Sequence, residues 1–150
     1  MVIPMHLQTN YPAPPLSLNR RLHPHAEARI RRELREAVVV FLRSRKIRPR
    51  ASFVQVQLIW RPATRRERDP DNVVPTVKPI ADALQPGRPA KVTRTRSGRT
   101  KVTTPIPGAG LIPTDTAAFV SRPEAHIMEF DGKSKAGWWI RLTITRTDDN

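Results

Sequence analysis

Cysteine is absent from the chain, and no run of apolar residues is long. The absence of cysteine excludes disulfide bonds and thiolate zinc sites, and it fits a cytoplasmic protein. No stretch approaches the ~18 consecutive apolar residues that a membrane-spanning helix requires, so we expect no membrane segment. Met1–Leu7 lacks the charged start and long apolar stretch of a signal peptide, and none is expected.

Acidic residues are scarce relative to basic ones. The 150 residues include 27 Lys and Arg against 13 Asp and Glu, which gives a formal net charge of +14 and a pI near 11.6. A chain of this length is expected to form one domain that buries about two-thirds of its unfolded surface. Because the basic residues are scattered over several elements, the charge predicts attraction to nucleic acid more than to an anionic membrane.

Two carboxylates, Asp69 and Asp71, stand one residue apart within a cluster of arginines over residues 65–72. In an extended backbone, which Pro70 favours, both side chains leave the same face. Such a pair is a partial site for Mg²⁺, which is often bound by one or two carboxylates plus substrate phosphates. With arginines for the phosphate, the pattern is typical of metal-assisted phosphodiester hydrolysis. The alternative is a solvated turn with local Asp–Arg pairs.

Periodicity predicts three elements before this cluster: a strand over Met1–Leu7, a helix over His25–Lys46 and a strand over Phe53–Trp60. Pro4 favours an edge position or a strand end for the first strand, and Pro24 is a helix-start signal. The cluster therefore follows a predicted core strand, which is a rigid place to hold a site.

A second helix is predicted over Asn72–Leu84, with Asp71 or Asn72 as its cap. Pro75 is tolerated in the first turn, where backbone N–H groups have no intrahelical partner. Pro79 lies in the interior and is expected to kink or loosen the helix.

Residues 85–110 have no apolar periodicity, six basic residues and no acidic one. They predict a long exposed insertion that is mobile without a ligand. A basic arm that wraps nucleic acid is the functional interpretation, and an inert linker is the alternative. A short hairpin within this segment is compatible with its apolar residues Val92, Val102 and Ile106.

Two further strands are predicted over Ala118–Phe130 and Trp138–Thr145, joined by a turn, and Asp148–Asn150 is expected to be a frayed tail. The predicted order is β-α-β-α-β-β. It indicates a single two-layer α+β domain over residues 1–150, with helices packed on one mixed sheet and a long basic loop.

Three segments of the chain resemble the RusA family of Holliday-junction resolvases, which are crossover junction endodeoxyribonucleases. They are Leu16-Ser17-Leu18-Asn19, then Arg68-Asp69-Pro70-Asp71-Asn72 running into Lys78-Pro79-Ile80-Ala81-Asp82-Ala83-Leu84, and finally Gly110-Leu111-Ile112-Pro113-Thr114-Asp115. The resemblance implies a bacterial or phage homodimer without a membrane segment. It also implies that the protein binds four-way DNA junctions and resolves them by symmetric paired nicks with Mg²⁺.

Transferred by motif, the resemblance assigns the paired metal carboxylates to Asp69 and Asp71 and the third ligand to Asp115. Thr114 replaces the first acid of the family's Asp-Asp pair. Pro75 stands where the family tends to have a lysine, and Lys78, one helical turn further, is a candidate to reach the phosphate in its place. The alternative for Lys78 is an ion pair with Asp82. The expected DNA-binding residues are Arg68, Asn72, Arg66, Arg20, Arg21, Arg94, Arg96 and Arg99.

Two other functions are compatible with this sequence. Pro75 and Thr114 favour a non-catalytic, basic junction- or DNA-binding protein on the same fold. A general basic protein associated with RNA or ribosomes is the third possibility, but it leaves the placement of the three aspartates unexplained.

Overall fold

A computed structural model describes residues 1–147, so the tail expected at Asp148–Asn150 lies outside the described residues. The described chain has two α-helices, one 3-10 turn and nine strands. In chain order they are β1 Val2–Met5, α1 Pro24–Ser44, β2 Phe53–Arg61, the 3-10 turn Pro70–Val73, α2 Val74–Asp82, β3 Pro86–Arg88, β4 Val92–Arg94, β5 Thr100–Val102, β6 Ile106–Ala109, β7 Val120–Ser121, β8 His126–Ile127 and β9 Gly137–Thr145.

The main sheet is mixed and is built around β2. Along its whole length β2 pairs antiparallel with β9, from Phe53 opposite Thr145 to Arg61 opposite Gly137. On its other side it pairs parallel with β7 and β8. β1 lies beyond β9 and pairs with it antiparallel, at one end of the sheet order, so the edge position predicted from Pro4 is confirmed.

The two helices and the sheet share one apolar core. α1 contributes Ile30, Leu34, Val38 and Leu42 to it, α2 contributes Val77 and Ile80, and alternate residues of β2 and β9 are buried against them. This confirms the α+β class with a mixed sheet and two helices. Within residues 1–147, no helix combines the length and the apolar character needed to cross a membrane.

The predicted strand over Ala118–Phe130 was wrong. Only Val120–Ser121 and His126–Ile127 pair with β2, and Pro123 lies between the two short strands. The last two predicted strands therefore do not form one hairpin. β9 and the β7–β8 segment lie on opposite sides of β2.

The start of the second helix also differs from the prediction. Pro70–Val73 forms a 3-10 turn whose N-cap is Asp69, and α2 begins only at Val74. Pro75 lies in the first turn as predicted, and Pro79 lies inside the short helix.

Residues 85–110 are not a single loop, which changes the predicted element order. β3 pairs with β6 at the base, and β4 pairs with β5 above them as a hairpin, each pair antiparallel. The hairpin opposes Val92 to Val102, whereas Ile106 belongs to the base and opposes Arg88.

Candidate active site

The carboxylates Asp69 and Asp71 lie at the start of the 3-10 turn that leads into α2, and both are exposed. Asp69 is extended, with φ −91° and ψ 122°, as Pro70 predicts. The chain then turns, so the extended geometry that was to align the two side chains ends at Asp69. A capping bond links the two residues instead, because the Asp71 N–H donates to Asp69 Oδ1 at 3.0 Å.

The arginine that precedes this pair is held by its own loop. The Arg68 guanidinium donates to the carbonyl oxygens of Arg66 and Thr64, at 2.8 and 3.0 Å, and to Thr64 Oγ1 at 2.7 Å. It also stacks over the Trp60 ring at 5.0 Å. Arg68 therefore shapes the loop between β2 and the 3-10 turn, and Arg66 is exposed on that loop.

A groove of about 760 Å³ lies between residues 62–70 and residues 125–130. Arg65, Arg66 and Arg68 line one wall, and Arg65 stacks over the Phe130 ring of the other wall at 5.9 Å. Glu67 and Glu129 also line it, so the groove is basic but not uniformly so. Pro70, which lies between the two aspartates in the chain, also lines it.

The segment before α1 is fastened to the 3-10 turn and α2. The fully buried Thr76 hydroxyl donates to the Leu16 carbonyl at 2.7 Å and accepts from the Leu16 N–H at 3.0 Å. The Leu18 N–H donates to the carbonyl oxygen of Asn72 at 3.0 Å. These bonds hold Leu16 and Leu18 beside the 3-10 turn and α2. The exposed Arg20 and Arg21 follow in the loop that leads to α1.

Asp115 is brought to α2 by the chain that follows the 85–110 segment. The N–H groups of residues 109–112 donate to the carbonyl oxygens of Ala83, Leu84 and Gln85, at 2.7 to 3.1 Å. These bonds run the chain alongside the end of α2. They bring Asp115 against Lys78, whose ammonium donates to Asp115 Oδ2 at 2.8 Å.

Lys78 serves two carboxylates at once. It contacts Asp82 Oδ1 on its own helix as well as Asp115. Arg35 of α1 donates to the other oxygen of Asp82 at 3.2 Å, so a chain of alternating charges runs from α1 through α2 to Asp115. The Asp82 pair that sequence offered as the alternative for Lys78 is thus present, together with a contact to a predicted metal ligand.

This arrangement shifts two pKa values. The hydrogen bond from Lys78 holds the pKa of Asp115 below its usual 3.8. Burial acts to lower the pKa of Lys78, but its hydrogen bonds to Asp115 and Asp82 outweigh burial and raise it. Both shifts favour the charged pair at neutral pH.

The donor chemistry at Asp69 and Asp71 fits Mg²⁺, which takes oxygen ligands and retains several waters. Asp69 and Asp71 are the residues that would hold the ion, and one or two carboxylates are sufficient by number. Within residues 1–147, no three His, Asp or Glu side chains are grouped closely enough to enclose a metal, and Asp115 is paired with Lys78 instead.

The remaining predicted contacts lie apart from this cluster. Arg94, Arg96 and Arg99 are on the β4–β5 hairpin and its turn, and all three are exposed. Sequence reasoning missed the roles of Thr76 and Arg35. A threonine on the apolar face of α2 is the sequence signal that could have identified Thr76. Nothing in the sequence distinguishes Arg35 from the other arginines of α1.

Comparisons with models of protein families, with curated proteins and with solved structures found no match for this chain.

Proposed function

We propose that the protein is a Mg²⁺-dependent, structure-selective endodeoxyribonuclease that resolves four-way DNA junctions by symmetric paired nicks. One observation carries this proposal. The three segments that resemble the RusA family are far apart in the sequence, yet the first and the third both contact the second, which itself forms the 3-10 turn and α2. Leu16 bonds to Thr76, and Asp115 bonds to Lys78. A chance resemblance gives no reason for these segments to meet.

In the proposed site the carboxylates bind the metal and the cations bind the DNA backbone. Asp69 and Asp71, and Asp115 once it exchanges Lys78 for the ion, would hold Mg²⁺, which would supply an activated water and stabilise charge on the phosphate. Lys78 and the arginines orient the DNA backbone, in the manner of Lys and Arg in other phosphate sites. The expected backbone contacts are Arg66, Arg68, Asn72, Arg20 and Arg21, with Arg94, Arg96 and Arg99 on the hairpin.

A homodimer belongs to the same proposal, because symmetric paired nicks require two sites related by twofold symmetry. Location in the cytoplasm of a bacterium, or of a bacterial cell infected by a phage, also follows from the resemblance.

A specific observation favours a second candidate function, a non-catalytic junction-binding protein. Asp115 is neutralised by Lys78, and Thr114 replaces an acid of the family's pattern. If the Lys78 pair persists on DNA, the site keeps its basic surface but lacks its third carboxylate. A protein of this second kind would bind junctions without cutting them.

The test is cleavage of a labelled four-way junction beside a linear duplex of the same sequence, with Mg²⁺ or with EDTA. Paired nicks near the branch point, absent in EDTA and in Asp71→Asn, support the resolvase. Tight junction binding without cleavage under any divalent ion supports the second function. Unchanged cleavage in Lys78→Ala contradicts the assignment of Lys78 to the phosphate.

A further inference from the structure

The β4–β5 hairpin stands clear of the rest of the molecule. Every residue from Pro86 to Ile106 is exposed. Its base is hydrogen-bonded to the domain, because β3 and β6 pair beneath it and the chain beyond β6 bonds to the end of α2. The hairpin is therefore an ordered ribbon that projects from the segment carrying Asp115.

The two faces of this ribbon differ in chemistry. Side chains alternate between the faces of a strand, and residues directly opposite each other share a face. Val92 opposite Val102 and Arg94 opposite Thr100 form one face, which we call the valine face. The Lys/Thr face consists of three pairs, each with one cation and one threonine: Lys91 with Thr103, Thr93 with Lys101, and Thr95 with Arg99.

The threonines of the Lys/Thr face are tied to the backbone of their partners. Each hydroxyl donates to the carbonyl oxygen of the opposite cationic residue: Thr103 to Lys91 at 3.4 Å, Thr93 to Lys101 at 3.3 Å, and Thr95 to Arg99 at 3.2 Å. The hydroxyls are thereby held close to the strands. The three long cationic side chains are the groups that extend from this face.

These three cations have no carboxylate partner within the described residues. No acidic residue occurs in residues 85–114, so the face carries positive charge without compensation along the chain. Successive pairs on one face are about 6.8 Å apart along a strand, which lets each cation contact a separate phosphate.

The absence of aromatic residues from the ribbon favours duplex over single-stranded nucleic acid. Proteins that bind single strands stack bases on aromatic side chains, and residues 85–114 contain no Phe, Trp or Tyr. A regularly spaced row of cations without aromatic residues suits the regular phosphate backbone of a duplex.

We propose that the Lys/Thr face of the β4–β5 ribbon binds the phosphate backbone of a duplex DNA arm, through Lys91, Arg99 and Lys101. The proposal rests on the proposed function for the choice of DNA, and it adds two residues, Lys91 and Lys101, to the expected contacts. It places the ribbon on an arm of the junction and away from the branch point.

The experiment measures equilibrium binding in EDTA, so it does not depend on cleavage. A fluorescent linear duplex and a four-way junction are each titrated with the full chain over a series of salt concentrations. Lys91→Gln/Lys101→Gln removes two cations from the Lys/Thr face. Arg43→Gln/Arg45→Gln, which also removes two exposed cations but at the far end of α1, is the matched control.

We expect the Lys91/Lys101 variant to reduce the slope of log K against log salt by about 1.8, because each lost phosphate contact removes about 0.9. Its affinity in 0.1 M salt should fall roughly 10- to 100-fold, equally for duplex and junction. The Arg43/Arg45 control should change the slope by less than half as much.

Three results would overturn the proposal. An equal loss of affinity in the Arg43/Arg45 control means that the net charge of the protein, and not the Lys/Thr face, determines binding. A loss confined to the junction places the ribbon at the branch point. No loss at all means that the ribbon does not touch DNA. Each of these outcomes is independent of whether the wild-type protein cuts junctions.

Discussion

The Lys78 ammonium lies 2.8 Å from Asp115 Oδ2 and also contacts Asp82, so one cation joins α2 to the loop beyond β6. The contact brings a predicted metal ligand and a predicted phosphate contact together. It also sets a condition on the proposed chemistry, because Asp115 has to exchange Lys78 for the metal before it can act as a ligand.

The first prediction concerns the ionisation of Asp115. In Lys78→Met the pKa of Asp115 should rise towards its usual 3.8, because the hydrogen bond that lowers it is removed. A carboxyl carbon NMR titration of both proteins measures this. Asp131 is the internal control. The hydroxyl of Ser134 and neighbouring backbone N–H groups hold its pKa at about 2, and Lys78 does not contact it.

The same shift has a consequence for stability. A carboxyl whose pKa is lowered by folding stabilises the fold above its unfolded pKa, and this contribution is lost as the pH falls through the folded value. The wild type should therefore lose stability relative to Lys78→Met as the pH falls below about 3.8. If Asp115 titrates at the same pH in both proteins, the ion pair does not form in solution.

The second prediction concerns Thr76, which fastens the Leu16 segment to α2. Thr76→Val should lower the free energy of unfolding by about 2–4 kcal/mol, because it leaves the buried N–H and C=O of Leu16 without partners. Thr76→Ser keeps the hydroxyl and removes only a methyl group, so it should cost about 1 kcal/mol. Urea denaturation distinguishes the two. Equal losses would mean that the hydroxyl bonds do not fix this segment.

The third prediction concerns the base of the ribbon. A Cβ atom on Gly108 would lie 2.3 Å from the carbonyl oxygen of Gln85 and 2.4 Å from the N of Gly87, both backbone atoms. Gly108→Ala should therefore lower the free energy of unfolding by about 1–3 kcal/mol. Gly137→Ala is the control, because a Cβ there meets nothing within 4 Å. If the two substitutions cost the same, β3 and β6 are not as close as described.

Sequence patterns predicted the secondary structure correctly where one apolar periodicity extended over many residues. α1 and β2 were predicted to within a few residues, because their apolar stripes are long and match one period. The capping role of Asp69 was missed, although Asp before Pro is a turn signal. The reason is that the metal interpretation required an extended backbone through Asp71.

The errors fall where pairing is decided by distant contacts. Val120–Ser121 and His126–Ile127 are strands only because β2 offers them an edge, and two residues carry no periodic signal. The hairpin at Val92 and Val102 was foreseen only as an option, since it depends on the pairing of β3 with β6 beneath it. Cross-strand context overrides intrinsic preference in such short segments.

The candidate site was predictable in its residue types but not in its connections. Asp69, Asp71 and Asp115 follow from the motifs. The link between Lys78 and Asp115 depends on the hydrogen bonds between residues 109–112 and the end of α2, which no local pattern encodes.

The proposed resolvase requires Asp115 to act with Asp69 and Asp71 in one catalytic site. Single-turnover cleavage of a preformed junction complex by Asp115→Asn, with Asp131→Asn as the matched control, measures this. We expect Asp115→Asn to bind the junction as the wild type does. It should cleave about 100-fold more slowly or worse, since a lost metal contact removes several kcal/mol of stabilisation from the transition state. Cleavage by Asp115→Asn at the wild-type rate, in the presence of Mg²⁺, would mean that Asp115 is not part of the catalytic site.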